Sequence, residues 1–532
     1  MTPTGHSQVS LPISAPMPVS EKRESVVGQA TSQAKLNGRV YTPLGVAQQM
    51  LERIRWPTSG PGPSLLDPSC GEGVFLDAAL RKLASSDLPI QEAISIIESQ
   101  MEGWDINAEA LATCAERLRA VSTDLGFQGR IPHLVHRDAL ADRGEQFDFV
   151  VGNPPYLEAK RMPDSLKRHV KACCPVAAKG AFDLYSAFVE RGLKILVDQG
   201  ELCFIIPNRI LVVSYASGLR SLLLTTSHIR VFDLSTARVF EDAAVYPIVL
   251  VARKGTRRGY RVEAWNDDGN SIELPVEAIE SRTAGMLPLL PETSGGRALL
   301  RRVLTAPEFK PLKAFASTRW CVSFHRAGLR DKFTFDGPPK KPTGTPMRFL
   351  GGGRFMGNRE VQPFGISWGG WWIDFDESRA RAERNQLPPL EIFKAPKVVV
   401  CQNARRCRVA LDRTGYVLKD TFLSVRCRSN EHERAGLPEW ITLVLNSRLF
   451  HYLYEHLYGG TRKGGGFLHF LPRYLDPFPF AEPPDDVDVR ALHDAVEKGK
   501  TPLSEVDTIV ERAWGITSVE LKVLNVYEFP QH

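Results

Sequence analysis

A chain of 532 residues, 43% apolar and 24% charged, is too long for one ordinary core and has the composition of a globular protein of two or three domains. Its net charge of +6 is mild but unevenly spread: Arg297 to Arg473 carries 31 Lys and Arg against 15 Asp and Glu, which leaves the remainder net acidic and points to a polyanion partner for that half. No run is apolar enough for a bilayer and no basic-then-apolar leader opens the chain, so neither membrane nor secretion is expected and the default location is cytoplasmic. Nine scattered cysteines without paired CxxC motifs, Cys173-Cys174 being the one vicinal pair, exclude a disulfide framework and a zinc site, and no metal is expected.

In chain order, residues 1–35 are rich in Ser, Pro, Thr and Gln and read as a disordered tail. From 36 to 256 short apolar runs alternate with helical stretches. Strands are expected at Ser64-Leu65-Leu66, Met101–Asp105, Phe147–Gly152, Glu201–Pro207, Ile229–Leu234 and Ile248–Ala252, and helices at Gly73–Leu83, Ala108–Val121 and Ala181–Val197. The alternation predicts an α/β fold with a doubly wound, mainly parallel sheet whose ligands lie at the carboxyl ends of the strands. From 257 to 481 the periodicity weakens and Gly, Pro, Trp and Arg become common, as expected of an irregular α+β domain. Residues 482–532 read as an acidic helical segment, and no internal repeat is found.

Three acidic residues fall at successive strand ends. Leu66-Asp67-Pro68-Ser69-Cys70-Gly71-Glu72-Gly73 turns from strand into helix, and Gly71 and Gly73 let the backbone turn tightly beside a ligand. Asp105 can accept both hydroxyls of a ribose, and Asp138 can accept a hydrogen bond from an adenine amino group. Singly each is as well explained as a helix cap; in series they describe a nucleoside pocket.

Phe147 to Gly152 runs straight into Asn153-Pro154-Pro155-Tyr156. The prolines stiffen the turn and carry no backbone donor. Acceptors at the Asn153 side chain and the Pro154 carbonyl suit the two protons of an exocyclic amine on a planar base, and Tyr156 offers a ring to stack on it. The amine lone pair, otherwise delocalised, could then be aimed at an electrophile by positioning and electrostatics alone.

With these motifs in order over roughly Arg39 to Lys254, the chain resembles the γ-class DNA adenine-N6 methyltransferases of the TaqI-like restriction–modification family. The resemblance implies a seven-stranded Rossmann-like methyltransferase sheet with a C-terminal target-recognition domain, S-adenosylmethionine as cofactor, and duplex DNA as partner. It places Val40-Tyr41-Thr42-Pro43 at the methionine end of the cofactor through Thr42. Asp67, Pro68, Gly71 and Gly73 become its first core motif, Asp105 its ribose acceptor, Asp138 its adenine acceptor, and Phe188, in Phe182 to Phe188, the aromatic lining the cofactor adenine. Asn153 would contact both cofactor and target. Phe240, in Val239-Phe240, would sandwich the extruded base with Tyr156.

In the tail half, Asp420–Val425, Leu445–Leu449 and Phe470–Tyr474 resemble specificity domains. Base edges are read by residues such as Arg, Asn or Gln, and Arg354, Arg359, Asn403, Arg405, Arg406, Arg408, Arg462 and Lys463 are the candidates, most of them better suited to phosphate. The implied reaction flips adenine from the duplex and protects DNA from a separate cognate restriction endonuclease, the chain acting as a monomer. A protein-glutamine methyltransferase shares Asn-Pro-Pro-Tyr but usually lacks a large basic domain. An RNA methyltransferase, a nuclease fusion and an inactive DNA-binding relic of the fold are rival readings. The segments before Arg39 and after about Glu482 are short for a nuclease domain.

Overall fold

The computed structural model describes residues 42–57, 63–234, 246–255, 258–265, 270–291, 293–326, 328–352, 357–461 and 466–527. The expected tail at 1–35, Phe240, Arg354, Arg462 and Lys463 lie outside them.

The amino-terminal half runs α1 (Leu44–Glu52), β1 (Leu65–Asp67), α2 (Val74–Ala84), α3 (Ile90–Ser99), β2 (Met101–Asp105), α4 (Ala108–Asp124), β3 (His133–His136), β4 (Phe147–Gly152), α5 (Asp164–Cys173), α6 (Leu184–Ile195), β5 (Leu196–Pro207), α7 (Ser217–Thr226), β6 (Ser227–Asp233) and β7 (Pro247–Lys254). Their strands lie in the order β3-β2-β1-β4-β5-β7-β6. The first five are parallel, and β7 is antiparallel to both its neighbours. This is the expected seven-stranded arrangement, and the sheet then continues. β8 (Gly259–Ala264) pairs parallel with β6, and β9 (Ser271–Leu274) pairs antiparallel with β8, giving nine strands that reach beyond residue 256.

Strand residues divide between two cores with the period of two that a pleated strand imposes. In β5, Leu202, Phe204 and Ile206 join one cluster while Cys203 and Ile205 join the other. Both faces are covered, so the strands read as continuous apolar runs rather than as alternation. α4 begins where the Asn107 side chain accepts from the amides of Glu109 and Ala110, a cap immediately after β2.

The carboxy-terminal half contains two four-stranded sheets. One orders Ala316–Trp320, Phe422–Cys427, Lys397–Cys401 and Val409–Asp412; the other orders Thr334–Asp336, Trp371–Phe375, Thr345–Leu350 and Val417–Leu418. Helices Leu437–Asn446 and Arg448–Tyr458 follow, and Val489–Glu497, Leu503–Ala513 and Ser518–Val526 close the chain as the expected helical segment.

The two halves share a core. One buried cluster extends from Leu66 in β1 to Leu524 in the last helix. The turn Asn208–Leu211 after β5 meets the 459–461 turn, where a Cβ on Gly460 would come within 2.9 Å of the Asn208 carbonyl oxygen. Leu287 N donates to Leu211 O at 2.9 Å, and Leu289 N to His456 O at 2.8 Å. Among the described residues no helix is long and apolar enough to cross a membrane.

Candidate active site

Strand order turns the sequence motifs into a row. Asp138 lies just past β3, Asp105 ends β2, Asp67 ends β1, and Asn153 follows β4 directly; these are four neighbouring strands at their carboxyl ends. Neighbouring strands are about 4.8 Å apart, so the row runs over roughly 15 Å. It crosses the point between β1 and β4 where the winding reverses, the place where open α/β sheets hold their ligands.

The loop after β1 is laid onto the end of β2. Cys70 N donates to Trp104 O at 2.9 Å, and Gly71 N donates to Asp105 Oδ2 at 2.9 Å. The other oxygen of Asp105 accepts from Asn107 N at 2.8 Å. Gly73 starts α2 with φ of 85°, where a Cβ would stand 2.6 Å from Cys114 Sγ, so both conformation and space demand glycine.

Asp67 is 1% exposed. Its Oδ1 accepts from Ser69 N at 3.1 Å, while Oδ2 is buried with no hydrogen-bond partner among the described residues. Burial pushes its carboxyl up to about 8, helped by the negative charge of Asp105. A Cβ on Gly152 would come within 2.7 Å of Asp67 Oδ1, so glycine immediately before Asn153 lets β4 pass this carboxyl.

Asn153 Nδ2 donates to Thr42 Oγ1 at 3.0 Å across 111 residues of sequence. The bond fixes the plane of the amide and makes Oδ1 its acceptor end. Ser69 Oγ lies 3.4 Å from the Asn153 carbonyl, tying the two motif loops together. Thr42, expected at the methionine end of a cofactor, thus bonds the residue expected at the target amine, and Asp67, of the expected first core motif, lies beside the glycine that precedes it. Pro68 and Pro154 are buried beside them.

Tyr156 is pinned rather than loose. Its hydroxyl donates to Ile205 O in β5 at 3.0 Å, and its ring meets Tyr185 edge-on with centroids 5.9 Å apart. Burial pushes the phenol far up, so it remains a donor. Downstream, Leu157 N donates to Asp183 Oδ1 at 2.8 Å and Ala159 N to Phe182 O at 2.8 Å, which bind the motif's exit to the start of α6. Phe188 lies buried on that helix.

Two residues that the motif reading missed stand in the row. Ile106 follows Asp105 and is 71% exposed, an aliphatic surface at a strand end that suits one face of a planar base. Its sequence signal is an apolar residue in a polar turn, where no core periodicity calls for one. His169, on α5, places Nε2 2.6 Å from Asp138 Oδ2, while Asp138 Oδ1 accepts from Leu140 N at 2.9 Å. No sequence spacing pairs residues 31 apart on a strand end and a separate helix.

The arrangement fits an adenosine-bearing cofactor. It offers acceptors for an amino group and for a ribose, an exposed aliphatic face between them, and a buried carboxyl oxygen lacking a partner among the described residues toward the Asn153 end.

In the basic half, Arg359 and Arg405 are exposed, and Arg405 lies over the part-exposed ring of Phe467 at 5.4 Å. Others of the candidate set turn inward. Arg406 donates to Asn446 O at 3.2 Å and Arg408 lies against the Cys401 thiol, while Asn403 Nδ2 donates to Gln402 Oε1 at 3.3 Å. Among the described residues one group, His493 with Asp494 and Glu497, has the spacing of metal ligands. Arg413 already pairs with both carboxylates there, at 3.1 and 3.2 Å, and the group stands on a carboxy-terminal helix apart from the row.

A family model described as Eco57I restriction-modification methylase matches residues 82–240, and one described as TaqI-like C-terminal specificity domain matches residues 355–480. Among curated proteins, the type II methyltransferase M.BstVI of Geobacillus stearothermophilus is 30% identical over 239 residues, covering 41% of this chain and 42% of that protein. M.TthHB8I of Thermus thermophilus is 30% identical over 231 residues, covering 42% and 47%. M.PaeR7I of Pseudomonas aeruginosa is 27% identical over 321 residues, covering 54% of each. The matches span about half the length of these relatives. In fold, the chain is similar to the type IIL restriction-modification enzyme MmeI, solved in complex with DNA, with a TM-score of 0.50 and 14% identity over 94% of this chain and 77% of that one. With a restriction-modification methylase model matched in the first half and a TaqI-like specificity model in the second, the chain resembles the TaqI-like restriction–modification methyltransferases.

Proposed function

We propose that the chain is a site-specific DNA methyltransferase that uses S-adenosylmethionine to methylate the N6 amino group of an adenine flipped from the duplex. The observation that carries this reading is the row Asp138, Asp105, Asp67, Asn153 on neighbouring strand ends. It joins a nucleoside-shaped set of acceptors to an Asn-Pro-Pro-Tyr turn, in a chain whose basic half matches a specificity domain.

The cofactor supplies a methyl group on a sulfonium, a leaving group reactive enough to need no metal or strong base. Asp105 holds the ribose, Asp138 accepts from the adenine amino group, and Ile106 and Phe188 supply apolar faces to that ring. Asp67, with Thr42, faces the cationic methionine end. Asn153 Oδ1 and the Pro154 carbonyl accept the two protons of the target amine and draw its nitrogen toward tetrahedral geometry. The Thr42 bond keeps the Asn153 oxygen turned to that task. Tyr156, fixed by Ile205 O, stacks on the base. Phe240 is proposed as the opposite face of that stack. The amine proton leaves to solvent after transfer.

The specificity domain reads a short sequence, with Arg359 and Arg405 the exposed candidates and Arg354, Arg462 and Lys463 alongside them. A cognate endonuclease is its proposed functional counterpart, and a monomer its proposed working form.

The test is single-molecule sequencing of genomic DNA from a methylation-free host that expresses the chain, beside Asn153→Ala. N6-methyladenine confined to one short motif and absent from the variant is the expected result. If soluble, cofactor-binding protein left no adenine mark, the substrate would instead be another amide or amine, in protein or RNA.

A further inference from the structure

We infer that His169 is a positioning residue for the cofactor, one that holds the Asp138 carboxylate in register with the adenine amino group. The inference rests on the S-adenosylmethionine reading above.

Asp138 follows β3 on a short loop, and its side chain is 41% exposed. A carboxylate there would ordinarily sample several rotamers, which blurs the direction of its lone pairs. Two bonds remove that freedom. Leu140 N occupies one site on Oδ1, and His169 Nε2 one on Oδ2 at 2.6 Å. Each oxygen of an ionised carboxylate has two acceptor sites, so one remains on each, with its direction set by the plane the two donors impose.

His169 is itself held. Cys173 Sγ, one turn on, lies 3.8 Å from Nε2 and 3.9 Å from Nδ1. Val170 beside it is fully buried, and the helix end is tied to α6 through Cys174 Sγ to Ala187 O at 3.4 Å and Ala177 N to Glu190 Oε2 at 2.6 Å. α6 in turn carries Phe188, the aromatic proposed to face the same adenine. The acceptor and the aromatic face are thereby referred to one helical unit.

The competing explanation is stability. Both side chains are 41% exposed, and exposed ion pairs contribute little to folding, so the pair's value lies in direction. With Nε2 as donor, His169 occupies one acceptor site on Asp138 Oδ2 and leaves the other to the amino group.

The test is calorimetric binding to the full chain of two probes: S-adenosylhomocysteine, and its analogue with hydrogen in place of the 6-amino group. Wild type should favour the amino form. In His169→Ala that preference should fall by roughly five- to tenfold, while affinity for the analogue changes little. His169→Gln, which can place an amide Nε2 where the ring nitrogen stood, should recover most of it. A preference unchanged or increased in His169→Ala would overturn the inference, as would equal weakening toward both probes. Wild-type protein that bound neither probe would instead fail the cofactor reading itself, and a thermal melt of the variant separates either result from misfolding.

Discussion

Asp67 is a carboxyl group placed where water does not reach, one strand away from the residue proposed to touch the target amine. With its ionisation pushed up to about 8, it is mostly protonated at neutral pH until a cation arrives. Affinity for the cationic cofactor should therefore rise as pH increases from about 6.5 to 9, and Asp67→Asn should flatten that profile in titration calorimetry. The linkage to folding has the opposite sense. The native state holds this proton over the interval between 3.8 and about 8, where the unfolded chain has released it, so the group lowers stability as pH rises through that window. Asp67→Asn should remove that component in denaturant titrations at about pH 5 and pH 8. Asp67, Asp105 and Asn153 were legible in the sequence because each adjoins a strand end and a turn with its own composition. Ile106 was legible in principle, as an apolar residue without a core to fill. His169 was not, because its partner is set by how α5 folds back, which no local pattern encodes.

Among the elements, the alternation of strand and helix up to β7 was largely readable because β1, β4, β5 and β7 are apolar runs buried on both faces; β3, whose four residues are exposed or half-exposed, was not among the strands expected from apolar runs. The sheet's last two strands were not. β8 buries Tyr260 and Val262 while presenting Arg261 and Glu263 less deeply, and its polar alternation resembles the change of texture that signalled a new domain. The carboxy-terminal half poses a related problem: its excess of Arg and Lys reads as a binding surface, yet part of it is internal wiring. Lys397 on one sheet is completely buried against Asp412, which also accepts from Thr414 N, Gly415 N and Tyr416 N at 2.8 to 3.0 Å. Lys397→Met would leave that carboxylate buried without its cation. It should destabilise the protein by about 3–5 kcal/mol, read as a lower melting temperature, and Lys397→Met with Asp412→Asn should recover part of the loss. A neutral single variant would show that the hydrogen bonds of the turn alone hold Asp412.

At the scale of the molecule, sequence texture suggests two bodies joined near residue 256, whereas the described structure has one apolar cluster running from β1 to the final helix. Ending the chain after residue 291 would uncover Leu211, Val212 and Leu287, which this cluster buries. Such a fragment is expected to aggregate, and to return to solution when the remainder is co-expressed; a monodisperse fragment by size-exclusion chromatography would show the shared core to be dispensable. The contact of Gly460 with the Asn208 carbonyl bears on how such proteins diversify. The turn at Asn208 continues the strand whose Ile205 carbonyl holds Tyr156. A lineage that exchanged its whole carboxy-terminal half would thus replace part of the wall behind the Tyr156 ring proposed to stack on the target base, and most such recombinants would arrive damaged. Exchanges confined to loops on the two small sheets leave that wall intact, so, if that half reads DNA as proposed, new sequence preferences should accumulate there, by grafting within it instead of by trading halves.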